Sequence, residues 1–138
     1  MDKMKAFYNF AKEALKDIGY EITLNENAAT IYSTGSSDVD VIKLENEGYY
    51  SFTYASGFSD KSEAELSICA QYMNEHHSER FGTMTNNVNT PFFVICKVFS
   101  CEDSDDEQEM GKNLTIKYME TKKEIIGLMQ EALKILRK

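Results

Sequence analysis

Cys69, Met73 and His76 recur at four- and three-residue steps. On a helix that spacing puts a thiol, a thioether and an imidazole on one face, a set suited to a soft metal ion. A small core thiol, a core Met and a helix-end His is also the ordinary reading of such a set. No metal is assigned. His76 and His77 are adjacent, about 100° apart around a helix, and do not converge on one ion. Cys96 and Cys101 are five apart in an extended stretch and face opposite sides. Residues 102–109, EDSDDEQE, carry six acids and no base. A calcium loop starting at Asp103 needs Gly at 108 and Glu at 114; the chain has Gln108 and Leu114. That run reads as a solvated loop leading into a helix, whose positive end it suits. The seven glycines, 19, 35, 48, 57, 82, 111 and 127, are never clustered. Phosphate-cradling loops need glycines close together, so none is expected. Carboxylates are plentiful but none forms a recognisable catalytic pair. The chain reads as non-enzymatic, without a cofactor.

The 138 residues carry a net charge of −8 and are 42% hydrophobic, enough for one packed domain, 1–138, without staples. Three cysteines make no disulfide framework. No apolar run approaches the ~20 residues of a membrane span. The charged start MDKMKAFYNFAKEALKDIG is no signal peptide. A cytoplasmic protein is expected. Between residues 19 and 111 four bases stand against 17 acids, whereas the segment 112–138 holds seven bases and three acids. An acidic body between cationic ends argues against nucleic acid or an anionic membrane as partner.

The elements that must position these residues follow from periodicity. Met4, Phe7, Ala11, Ala14, Leu15 and Ile18 make one apolar face of a helix over 2–18, which Gly19 stops. Tyr20–Ile22, 29–33, 38–45 and 50–54 alternate as four strands separated by Asn/Gly-rich turns, an antiparallel meander. In DVDVIKLE the apolar phase switches between Val41 and Ile42, as for a bulge or a strand covered on both sides. Ser62 and Glu65 fit a capping box opening a helix to about residue 79, with Leu66, Cys69, Ala70 and Met73 inward. A weak strand spans 82–87, and Asn86-Asn87 starts a turn. Phe92 to Cys101 is apolar on both faces and reads as a central or doubly covered strand.

The last helix, about 112–137, is the most regular. Leu114, Tyr118, Thr121, Ile125, Leu128, Ala132 and Ile135 form a heptad seam, beside a second stripe of Met119, Ile126, Met129, Leu133 and Leu136. The combined arc exceeds what one sheet face requires. Either both stripes are core, or part of the arc meets a second copy or a partner. The contact residues proposed on this basis are Tyr118, Ile125, Leu128, Met129 and Ile135.

The helix ending Asp17-Ile18-Gly19-Tyr20, the strand Gly48-Tyr49-Tyr50-Ser51-Phe52, the helix Ala64 to Glu75, the strand Phe92-Phe93-Val94-Ile95-Cys96 and the closing helix Ile125 to Leu136 follow one another in an order that resembles the YbjN-like family. Its fold is that of type III secretion chaperones. The resemblance covers nearly the whole chain as a pattern of elements. It implies a small acidic cytosolic protein, often a homodimer, that acts by protein contact on exposed apolar patches. It supplies no catalytic residue. The long last helix and the acidic 102–109 run depart from the pattern and weaken any transfer of its dimer mode.

The expected fold is therefore α+β: an antiparallel sheet of about six strands, order α-β-β-β-β-α-β-β-α, packed with helices. The expected function is a chaperone-like or regulatory interaction module acting through apolar surface of the C-terminal helix and sheet. The alternative is a small-ligand-binding or enzymatic domain with a pocket between sheet and helices, using Tyr50, Tyr54, Cys69 or His76.

Overall fold

A computed structural model describes residues 1–86 and 88–137. Helix α1 (Lys3–Lys16) leads into strands β1 (Tyr20–Asn25), β2 (Ala28–Ser33), β3 (Val39–Asn46) and β4 (Tyr49–Gly57). Helix α2 (Glu63–His76), strands β5 (Arg80–Thr85) and β6 (Pro91–Ser100), and helix α3 (Glu107–Leu136) follow. The six strands form one antiparallel sheet in the order β1-β2-β3-β4-β6-β5. This is the α+β arrangement expected, with a 30-residue last helix. No helix among the described residues is long and apolar enough to cross a membrane.

Local chemistry sets the element ends, and it moves several expected boundaries. Asp2 caps α1, accepting from the Lys5 amide at 3.1 Å. The helix ends at Lys16 rather than 18, before Gly19 with its φ of +86°. Ala14 and Ile18, expected on its buried face, are exposed. Ser62 and Glu65 form the reciprocal capping box at the start of α2. That helix stops at His76, three residues short of expectation, because His77 turns extended to feed β5. Helix α3 begins five residues earlier than the periodicity indicated. Asp106 accepts from the Glu109 amide at 3.1 Å, so the second half of the acidic run is a helical first turn, not loop. The phase switch in β3 has a different cause from the one expected. The bulge lies further on, between Leu44 and Asn46; at Val41–Ile42 the strand is regular, with apolar residues on both faces. Asn87 of the expected turn lies outside the described residues.

Helix α1 lies over β1, β2 and β3, α2 over β5 and β6, and α3 between them against β4 and β6. All three bury against one side, where Ile31, Ile42, Tyr50, Phe52, Phe93 and Ile95 are almost wholly enclosed. The rings of Phe52 and Tyr118 stack at 5.3 Å between centroids, with Phe7 tilted against Tyr118 at 6.1 Å. Helices α1 and α3 touch at Ala6 and Gly111. A Cβ at residue 111 would meet the Ala6 carbonyl oxygen at 2.4 Å, so only glycine permits this approach. Strand β6 is internal but covered on one face only: Phe93, Ile95 and Phe99 are buried, while Val98 on the other face is 62% exposed.

Candidate functional site

The least expected group under the helices is Asp40. Its alternation with Ile42 points it inward from β3, opposite Tyr54 on β4, and it is 1% exposed. Burying a lone carboxylate is costly, so it must be paired. Lys122 Nζ donates to both carboxylate oxygens, at 2.8 and 2.7 Å. Tyr118 OH donates at 2.6 Å. Tyr118 and Lys122 are four residues apart and share one face of α3. The Lys122 ammonium also lies 4.8 Å from the centroid of the Tyr54 ring. Beside this, Asp38 accepts from Tyr54 OH and from Ser56 Oγ, each at 2.7 Å.

Burial pushes the Asp40 carboxyl up, and the Lys122 ammonium and Tyr118 hydrogen bond pull it back. Burial first, and then the Asp40 charge, push the Tyr118 hydroxyl strongly up. Burial and Asp38 do the same to Tyr54. Perturbed groups of this kind gather at active sites, and equally in structural ion-pair networks. Size decides between the two. The cavity they border, lined also by Tyr32, Ser33, Ser36 and Ile126, measures ≈ 130 Å³. It has room for a few waters at ~30 Å³ each, well below the ~300 Å³ of a small ligand pocket. Both carboxylate oxygens of Asp40 already accept hydrogen bonds, Oδ1 from Lys122 and Oδ2 from Lys122 and Tyr118. The arrangement fastens α3 to the middle of the sheet.

The residues of the alternative pocket are not brought together. Tyr50 stacks on Phe99 at 5.6 Å; its hydroxyl is buried with no hydrogen-bond partner among the described residues, and burial pushes it up to about 12. Tyr54 belongs to the Asp38 cluster. Cys69 is buried, its thiol donating to the Ala132 carbonyl at 3.6 Å and pushed up by burial. His76 lies outside, stacked on Tyr72 with Nδ1 2.8 Å from the Tyr72 carbonyl. Met73 is core, so the expected helical face of Cys69, Met73 and His76 is split between interior and surface.

The expected contact residues fall mainly inside. Ile125, Tyr118 and Met129 are 0%, 1% and 5% exposed, and Leu128 and Ile135 pack half-buried against the same core. A seam that joins α3 to the sheet and to α1 is occupied within the chain. What α3 shows outward is Ile116, Met119 and Ile126.

Among the described residues, no element covers the side of the sheet away from the helices. Phe92, Val94, Cys96 and Val98 of β6 and Val39 and Val41 of β3 lie on it. Across its centre runs a shallow groove of ≈ 740 Å³, floored by Val41, Thr53, Cys96 and Val98. Lys43 and Glu45 edge it on the β3 side, Glu79 and Arg80 on the β5 side. Two features of the opposite, covered face were missed in the sequence. An acid in step with inward apolar positions, Asp40 with Ile42 and Leu44, signals a buried charge. A lysine four residues after a seam tyrosine signals its partner.

No protein-family model matches the chain, and no curated protein matches it. Among solved structures it is similar to YbjN from E. coli, a proposed transcription regulator, with a TM-score of 0.57 over 91% of this chain and 90% of that one at 13% identity. The chain has a YbjN-like fold.

Proposed function

We propose that this protein is a non-enzymatic interaction module, regulatory or chaperone-like, that binds protein through the uncovered face of its sheet and the outer ridge of α3. A second copy of the chain is its first partner. The observation that carries the reading is the uncovered sheet face: it holds Val39, Val41, Phe92, Val94 and Val98, and no helix among the described residues packs on it. Apolar side chains on such a face mark contact surfaces. Each apolar Å² removed from water is worth ~25 cal/mol before association costs are subtracted. The rims favour self-association, since each carries both signs of charge, Lys43 with Glu45 on one, and Arg80 and Lys97 with Glu79 on the other, where Lys97 pairs with Glu79 at 3.4 Å. A two-fold axis along the strands lays the β3 rim of one copy over the β5 rim of the other, and such an interface must be self-complementary. The fold shared with a proposed regulator fits this role.

Light scattering over a hundredfold dilution tests it. The expected result is a dimer for the natural chain and a monomer for Val98→Glu, with an unchanged circular dichroism spectrum, because Val98 is exposed in the single chain. A monomer at every concentration, or a dimer indifferent to Val98→Glu, overturns the assignment of this face to self-association.

A further inference from the structure

The helices hold a second surface, distinct from the sheet face and independent of that reading. Beside the Ala6–Gly111 crossing lies a cleft of ≈ 670 Å³. Its apolar lining is Ala6, Phe10 and Ala14 of α1; its polar lining includes Glu13 of α1 and Glu107 of α3. At 100° per residue α1 separates its charges by flank. Asp2, Glu13 and Asp17 lie on the flank turned to this cleft, and Lys5, Lys12 and Lys16 on the other. The acidic run arrives at the same place, because Asn9 Nδ2 donates to Glu107 at 3.1 Å and Lys3 pairs with Asp103 at 3.1 Å. Lys3 is thereby engaged. Among the described residues no cation lines the cleft; the first lysine of α3, Lys112, is not among its walls.

An apolar trough with carboxylates on both walls has a defined complement. We infer that this cleft docks a basic amphipathic segment of a partner protein, its large apolar side chains over Phe10 and Ala14 and its lysines or arginines against Glu13 and Glu107. Helices recognised in grooves present such side chains at three- and four-residue steps. The cleft's volume lies within the ~300–1,000 Å³ that holds a ligand of several apolar groups. Opposed charges raise the encounter rate and exclude acidic competitors. Of the acidic run, Glu107 lines the cleft, while Asp106 and Glu109 serve the turn that starts α3 and Asp103 pairs with Lys3.

The test is fluorescence anisotropy with a labelled 16-residue peptide of leucine and lysine, leucines at helical spacing, against the full chain. Saturable binding that weakens with salt is expected. Glu13→Lys with Glu107→Lys should weaken it at least tenfold, and Ala14→Trp, which fills the trough without changing charge, should do the same. Asp60→Lys with Glu75→Lys makes the same charge change at and before α2, which does not contact α1, and should alter affinity less than threefold. Both Glu13 and Ala14 are exposed, so the variants should keep their native spectra. Equal weakening by the two charge reversals would mean that net charge alone holds the peptide, and the inference falls. It falls equally if a folded Ala14→Trp binds as tightly as the natural chain, or if the natural chain shows no saturable binding.

Discussion

The two faces of the sheet are built from the same strands and end in different states. On one, Tyr50, Phe52, Phe93 and Ile95 are sealed to 0% exposure; on the other, one register position from Phe52 on the neighbouring strand, Val98 keeps 62%. Alternation places apolar side chains on both faces of β3 and β6, so composition did not decide between them. The connections did. The chain leaves β4 through α2 and leaves β6 through α3, and both return to the side already taken by α1. The covered face can then hold a charged pair at its centre, Asp40 with Lys122, because three helices exclude water around it, while Lys97, paired with Glu79 and Glu124, stays partly exposed at the margin of the same face. The open face holds its charges at the rims, where water and a partner can reach them. Stability is concentrated on one side and availability on the other.

Breaking the covered face should cost most. Asp40→Ala strands the Lys122 ammonium, and Lys122→Met strands the carboxylate; each should lower stability by about 3–5 kcal/mol in urea unfolding. Asp40→Leu combined with Lys122→Met should recover most of the loss, since a pair replaced by packed apolar groups is often neutral. Single variants within 1 kcal/mol of the natural chain would show that the pair is not the fastener described.

Two buried tyrosines sharpen the contrast inside that face. Tyr118→Phe removes a hydrogen bond to a charged group and should cost about 1.5–3 kcal/mol. Tyr50→Phe removes a hydroxyl that has no partner among the described residues, and should be neutral or stabilising. A larger loss for Tyr50→Phe than for Tyr118→Phe would reverse the assignment.

Their acidity has a consequence at high pH. Tyr50 is raised from 10.0 to about 12 in the fold, so the native state holds its proton more tightly than the unfolded chain does. Its contribution is intact below pH 10 and is lost as pH climbs from there through 12. Tyr54 and Tyr118 act in the same direction. Stability measured against pH should therefore fall in this window, and less steeply in Tyr50→Phe.

Ser62→Ala removes one half of the α2 capping box and should cost about 1 kcal/mol. Smallest of all, Val98→Ala on the open face should change monomer stability by less than about 0.5 kcal/mol. If Val98→Ala destabilises the isolated chain as much as a core truncation, the face is not open.

Much of this was legible in residue types. The two-residue period of β4, Tyr50-Phe52-Tyr54, and the heptad steps of α3 gave the element types and their inward faces, since backbone geometry alone sets those periods. Ser62 with Glu65 declared a helix start. Asp106 could have declared another, but it was hidden within an acidic run that reads as loop. The width of the α3 arc was legible; which of its two possible uses, core or contact, each residue serves was not. Tyr118, Ile125 and Met129 are buried within the chain, because α1 lies alongside α3 as well as the sheet beneath it, and the sequence does not say so.

Helix and strand identities, the antiparallel meander, the capping box and the charge segregation were therefore determined by local sequence, because propensity, hydrophobic period and capping act within a few residues. Which face of the sheet is covered, that Asp40 meets Lys122 82 positions away, and that Glu13 and Glu107 share one cleft were decided only in three dimensions. Those contacts join residues far apart in the chain, and no local rule fixes which distant surfaces will exclude water together.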